Sequence, residues 1–258
     1  GMVVNVCALV AGAKRSILRP IMNIGSRFAK TNSRRLSTSS DTPFDVVVFG
    51  GNGFVGSNVC RKLVEMGKKV AAVNRSGCPK VKEPWMNQVS YISGDVFAPE
   101  SWRSVLKGAG GVVASIGGFG SYEEMRRING DSNLVVAEEA AAAGVARFVF
   151  VSASFPPFPA SIPLRGYIEG KELVEAAARR LFPETHTLLK PSVIYGAQEG
   201  AHPLIAAIRS LGPIQNPLMT ATPLQHLATL PVVGGVFLPW SPVEAVAAAA
   251  ATAAVRDV

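Results

Sequence analysis

Val46-Val47-Val48-Phe49-Gly50-Gly51-Asn52-Gly53-Phe54-Val55-Gly56 decides the fold of this chain, because an apolar run feeds directly into glycines three apart and then into a helical pattern. Val46 to Phe49 have the β-branched and aromatic character of a buried strand. Val55, Val59 and Leu63 recur every four residues as one apolar helix face. Gly50, Gly53 and Gly56 fall in the turn between. Without side chains there, the turn closes tightly, its N–H groups approach a pyrophosphate, and the helix N-terminus points its partial positive charge at it. Flanked by strand and helix, Gly50, Gly51, Asn52, Gly53, Phe54, Val55 and Gly56 form a candidate dinucleotide cradle.

Outward from this turn, strands and helices alternate. Strands are expected at 45–50, 69–74, 89–93, 111–116, 147–152 and 187–194, and helices near 54–66, 99–107, 122–143 and 167–180. A last Ala-rich helix is expected from Val243 to Val255, with Pro242 near its start. This is the pattern of an α/β fold with a doubly wound parallel sheet of the Rossmann type. The 258 residues suit one folded domain: a core over 41–200 and a C-terminal region over 201–258.

The net charge of +8 suggests nucleic acid until it is mapped along the chain. Residues 1–40 hold Lys14, Arg15, Arg19, Arg27, Lys30, Arg34 and Arg35 and no acid, so the rest is almost neutral and a nucleic-acid surface is not expected. This segment is also rich in Ser and carries Ile17, Leu18, Ile21, Met22 and Ile24 between its charges, the make-up of a mitochondrial targeting peptide. A plastid transit peptide is the rival. Cys7, Cys60 and Cys78 make no disulfide framework, and neither they nor His186, His202 and His226 fall at metal-ligand spacing, so no metal is expected. No uninterrupted apolar run reaches the roughly 18 residues of a helical membrane span.

From 201 to 242 the texture changes. Prolines at 203, 213, 217, 223, 231, 239 and 242 punctuate apolar stretches, and Arg209 is the only charged side chain. Such a segment serves as a substrate lid, or as an apolar patch that meets lipid or an inner-membrane protein complex, or as core.

Folds of this type that prefer NAD place an acid at the end of the second strand, roughly 20 residues past the glycines, to hold the ribose 2′-hydroxyl. Here that place reads Val73-Asn74-Arg75-Ser76, and Arg75 offers a charged planar fork to a 2′-phosphate. NADP(H) is expected over NAD(H). Asp95 and Val96 follow the third strand, where a carboxylate reaches the adenine amino group. Ile116, Gly117 and Gly118 follow the fourth and strip side chains from the crevice at the carboxyl ends of the strands.

Tyr167-Ile168-Glu169-Gly170-Lys171 puts a phenol and an ammonium on one helix face. A nearby cation favours the phenolate, so Lys171 is expected to lower the Tyr167 pKa from its usual ~10. Tyr167 then trades a proton with a substrate oxygen while hydride moves from the nicotinamide, and Ser154, at the end of the fifth strand, hydrogen-bonds the same oxygen. The prolines of Phe155-Pro156-Pro157-Phe158-Pro159 crowd the loop after Ser154, which leaves Ser152 as the alternative.

The glycine loop, Gly94-Asp95, the Ser154, Tyr167 and Lys171 trio, Asn129 in the helix expected at 122–143 and Lys190-Pro191-Ser192-Val193-Ile194-Tyr195-Gly196 together resemble the extended and atypical short-chain dehydrogenase/reductase superfamily over residues 45 to about 255. Asn74-Arg75-Ser76-Gly77, Gly117-Gly118-Phe119-Gly120-Ser121, Arg127-Ile128-Asn129-Gly130 and Gly166-Tyr167-Ile168-Glu169-Gly170-Lys171 are similar to its organellar branch. That branch includes a fungal mitochondrial protein associated with coenzyme Q synthesis and its plant plastid relatives, and Phe182-Pro183-Glu184 followed by Lys190-Pro191-Ser192 is similar to the nucleotide-binding accessory subunit of respiratory complex I. The resemblance implies a bound NADP(H), cofactor contacts from Asn129, Tyr167, Lys171 and Pro191, and a place near quinones and the mitochondrial inner membrane. It leaves two functions open: reduction of a bulky apolar carbonyl or quinone, or a non-catalytic, cofactor-stabilised scaffold.

Overall fold

The computed structural model describes residues 1–6, 43–79, 81–154, 162–196, 211, 213–215 and 239–256. Its strands are β1 (Met2–Val4), β2 (Val46–Phe49), β3 (Val70–Asn74), β4 (Val89–Ser93), β5 (Gly111–Ala114), β6 (Arg147–Val151), β7 (His186–Leu189), β8 (Ile194–Tyr195) and β9 (Ser241–Pro242). The helices are α1 (Phe54–Glu65), α2 (Tyr122–Arg126), α3 (Ser132–Ala142), α4 (Arg165–Leu181) and α5 (Val243–Val255). The main sheet runs β1-β7-β6-β5-β2-β3-β4 with parallel pairing throughout, and β8 pairs with β9 separately. Leaving β1 aside, this is the doubly wound order, and its direction reverses between β2 and β5. There the chain leaves both strands toward opposite sides and opens a crevice at their carboxyl ends.

Alternation along β2 divides the core. Val47 and Phe49 face a cluster with Trp102, Phe148, Phe150 and Leu188, together with Val136 and Ala140 of α3 and Val174 of α4. Val46 and Val48 face the other side, with Val59, Cys60 and Leu63 of α1 and Val246, Ala247, Ala250 and Ala251 of α5. With both faces covered, strands need near-continuous apolar runs, and β2, β5 and β7 are buried at every position.

Four expectations change in detail. The helix expected at 99–107 is two short 3₁₀ turns, Pro99–Ser101 and Arg103–Leu106. The helix at 122–143 contains a π-helical turn over Arg127–Asp131. The strand expected at 187–194 stops at Leu189, because Pro191 has no N–H for the ladder, and resumes as β8. Met2–Val4, within the segment read as a leader, form the outermost strand beside β7. Residues 7–42 and nearly all of 201–238, the stretch expected as a lid or docking segment, fall outside the described residues.

Candidate active site

The cradle is built by close approach. Gly50 has φ +81°, a left-handed conformation that β-branched or bulky residues do not adopt without strain. A Cβ on Gly51 would sit 2.7 Å from the Ala72 Cβ, and one on Gly56 would overlap Gly50 and lie 2.8 Å from the Ser115 Oγ. Gly53 caps α1 without a side-chain hydrogen bond, so no side chain of the cap residue stands between the helix N-terminus and an anion. Asn52 does a different job. Its side-chain amide donates to the Cys78 carbonyl at 2.6 Å and to the Ser76 Oγ at 3.2 Å, tying the cradle to the loop after β3.

In that loop Asn74 accepts from the Gly77 N–H and the Ser76 hydroxyl, both at 2.8 Å, through its Oδ1. Its Nδ2 is buried without a hydrogen-bond partner. A buried orphan donor costs about 1–3 kcal/mol, which a ligand oxygen at this place would offset. Arg75 is exposed and makes no ion pair among the described residues. Asp95 accepts from the Phe97 N–H at 3.0 Å, which fixes its turn beside half-buried Val96. Glycines that a Cβ would fill, an uncapped helix and an orphaned amide donor all fit a bound dinucleotide.

Across the crevice, the π-helical turn carries Asn129 inward, fully buried. Its Oδ1 accepts from the Gly118 N–H at 3.2 Å and its Nδ2 donates to the Gly118 carbonyl at 2.8 Å, so it pins the Ile116-Gly117-Gly118 loop. Asn133, one turn on, donates to the Ile116 carbonyl at 3.0 Å. A Cβ on Gly117 would lie 3.0 Å from the Asn129 Oδ1 and 3.9 Å from the Lys171 Nζ, so these three residues meet at one point.

Helix α4 delivers Tyr167 and Lys171 there. A Cβ on Gly166 would run into the Tyr122 carbonyl, and one on Gly170 would lie 2.8 Å from the Gly130 N. The two glycines therefore let α4 rest backbone to backbone on the 122–131 segment. Lys171 is 3% exposed and donates to the Val151 carbonyl at 2.7 Å, with its Nζ 5.5 Å from the Tyr167 ring centroid. Burial pulls its pKa down to about 7, opposed by the charge of Glu175. Tyr167 moves the other way: burial pushes its phenol up to about 12. The expected lowering by Lys171 is reversed, because desolvation of the phenolate outweighs a neighbouring amine that is itself close to neutral.

Ser154 gives its hydrogen bonds to backbone carbonyls. Its hydroxyl donates to the Lys190 carbonyl at 3.0 Å, and its N–H donates to the Pro191 carbonyl at 2.7 Å. Pro191 is buried and thus serves to seat the end of β6. The alternative, Ser152, is 2% exposed and donates to the Glu175 carboxylate at 2.6 Å. Glu175 also receives Lys190 at 2.9 Å and Arg179 at 3.1 Å. Its spacing four residues past Lys171 was the available signal for this buried partner, as Asn133 stands four past Asn129.

A seven-stranded parallel sheet whose order reverses at a glycine cradle, with Tyr and Lys at the same crevice, defines a dinucleotide-binding protein of the short-chain dehydrogenase/reductase type. A family model described as NAD(P)H-binding matches residues 50–206, more than half of the sequence, and the chain belongs to that family. An uncharacterized chloroplastic protein of Arabidopsis thaliana is 42% identical over 154 residues, covering 60% of this chain and 52% of the relative. The MIOREX complex component 2 of Saccharomyces cerevisiae is 40% identical over 77 residues, covering 28% of each. A 2-alkyl-3-oxoalkanoate reductase of Stenotrophomonas maltophilia is 33% identical over 126 residues, 47% of this chain and 37% of the relative. The chain spans about half or less of the length of these three relatives. The first of them is chloroplastic, and a further relative, the fmp52-1 protein of Aspergillus terreus, 27% identical over 171 residues that cover 64% of this chain and 72% of the relative, is mitochondrial. The UDP-glucose 4-epimerase of Thermotoga maritima shares the fold at a TM-score of 0.53 and 19% identity, covering 66% of this chain and 62% of the enzyme.

Proposed function

We propose that this chain is an NADP(H)-dependent reductase of a bulky apolar carbonyl or quinone, acting in mitochondrial quinone metabolism. The observation that carries the reading is Tyr167 beside Lys171, whose Nζ stands at Gly117 of the loop that Asn129 pins, with Tyr167 held as a neutral phenol. A phenol with its pKa near 12 is a proton donor throughout the neutral range. That suits the direction in which a carbonyl oxygen gains a proton as its carbon gains hydride. When bound, the reduced nicotinamide supplies the hydride. Gly50 to Gly56 and the α1 N-terminus hold the pyrophosphate, Asn74, Arg75 and Ser76 take the adenosine ribose and its 2′-phosphate, and Lys171 orients the nicotinamide ribose. The absence of an acid beside Arg75 supports NADP(H) over NAD(H).

The name of the Stenotrophomonas relative, a reductase of an alkyl-substituted oxoalkanoate, supports an apolar carbonyl. The acid-free, Arg- and Ser-rich segment at 1–40 supports the mitochondrion, and the chloroplastic relative keeps the plastid as the rival. Loss of NADPH absorbance on adding long-chain ketones or quinones tests the reading. Tyr167→Phe should lower turnover by about 10²- to 10⁴-fold with nucleotide affinity retained, and full turnover in that variant removes Tyr167 from the chemistry.

A second reading is favoured by the serines. Ser154 and Ser152 both spend their protons on the protein, so neither donates to a substrate oxygen. On this reading the nucleotide stabilises a scaffold by linkage, by about 2.7 kcal/mol at a hundredfold excess over its Kd, and the apolar 201–242 segment docks on a membrane complex. NADPH that raises the melting temperature but is never oxidised by any carbonyl identifies this case.

A further inference from the structure

We infer that Phe119 selects the substrate, by a stacking face that favours a planar, conjugated carbonyl over a flexible aliphatic one. This rests on the reductase reading of Tyr167. Phe119 follows the Gly117-Gly118 loop that lines the crevice, and its ring lies 5.4 Å from the Tyr167 ring, with only 7° between their planes. At 75% exposure it is the most exposed large apolar side chain among the described residues.

A single exposed apolar side chain needs no explanation. This one is held in register with the ring of the general acid. Two nearly parallel rings in contact at that centroid distance are offset, so they overlap only in part, and the face that Phe119 turns toward Tyr167 continues beyond the edge of the phenol. A carbonyl that takes the Tyr167 proton lies close to the plane of that phenol. A flat, conjugated substrate in this position is covered by the free part of the Phe119 face. A flexible alkyl carbonyl presents no matching surface.

The surroundings agree with an apolar rim. Tyr122, 42% exposed, is tethered through its hydroxyl to Glu169 on α4, and Ile162, 58% exposed, stands just before α4. Gly118 and Gly120 flank Phe119 and place no side chain beside its ring.

Phe119→Leu tests the inference, because it keeps an apolar side chain and removes the ring. With naphthoquinone and decanal as probes, the variant should lose roughly two- to tenfold in kcat/KM for naphthoquinone, the size of one aromatic stack. The value for decanal and the affinity for NADPH should stay within about twofold. Phe119→Tyr, which restores the ring, should restore the discrimination. An unchanged ratio between the probes, or an equal loss on both, overturns the inference. If neither probe is turned over, saturation-transfer NMR of naphthoquinone on the NADPH-loaded protein decides. A signal lost in Phe119→Leu and kept in Phe119→Tyr upholds the stacking face while the catalytic reading falls, and the absence of any signal in the unaltered chain overturns the stacking face as well.

Discussion

In the turn between β2 and α1, the approaches to a ligand are made by backbone, and Gly51 and Gly56 matter because a single methyl would collide with Ala72 or Gly50. In α4 the reverse holds: two long polar side chains are carried into a dry crevice, where burial pushes the Tyr167 pKa up and the Lys171 pKa down, so that each favours its own neutral form. The first region works by what is left out and is robust to its electrostatic surroundings. The second works by what is brought in and depends on them. A glycine keeps its meaning wherever the chain folds around it, whereas a Tyr and a Lys take theirs from the environment.

Adding one methyl to the cradle breaks this comparison most severely. Gly56→Ala should abolish the thermal shift given by NADPH and destabilise the fold by about 1–3 kcal/mol, read by chemical unfolding. Helix propensity alone predicts a gain of about 1 kcal/mol for the same change, so the sign is decisive. Arg75→Ala should lower NADPH affinity by about tenfold or more with NADH affinity unchanged, measured by titration of both nucleotides. Equal effects on the two would assign Arg75 to the protein surface.

The smallest effect sharpens the α4 side. Lys171 has its pKa lowered from 10.5 to about 7, so between those values the unfolded chain holds a proton that the folded chain has lost. The Lys171 contribution to stability therefore rises as pH climbs from about 7 toward 9, above which the buried Cys60 thiol, pushed up to about 12, opposes it. Lys171→Met should flatten that rise in denaturant midpoints taken across the window. A variant that keeps the slope places its cause elsewhere.

Much of the cradle was legible because strand, glycines and helix are consecutive in the chain. The pairing of Tyr167 with Lys171 was legible from spacing. The direction of the Tyr167 shift was not, since it depends on burial by loops and helices distant in sequence. Ser154 could be placed at the end of β6, but that its hydroxyl turns to Lys190 follows from the partner strand. The outer strand β1 carries the same apolar letters as the segment after it, and only its register against Thr187 to Leu189 sets it apart. Phe119 stood within a quoted motif, yet its contact with Tyr167 spans two separate elements.

Gly166 and Gly170 have a consequence for how this site is lost. They contribute no chemistry, yet each precedes a residue that does, and their bare backbone sets how deeply α4 sinks against Tyr122 and Gly130. A methyl at either glycine would displace Tyr167 and Lys171 together as one rigid unit. A lineage can thus retire the activity while every polar residue of the site stays intact, and a surviving Tyr-Lys pair vouches for chemistry only while its glycines survive beside it.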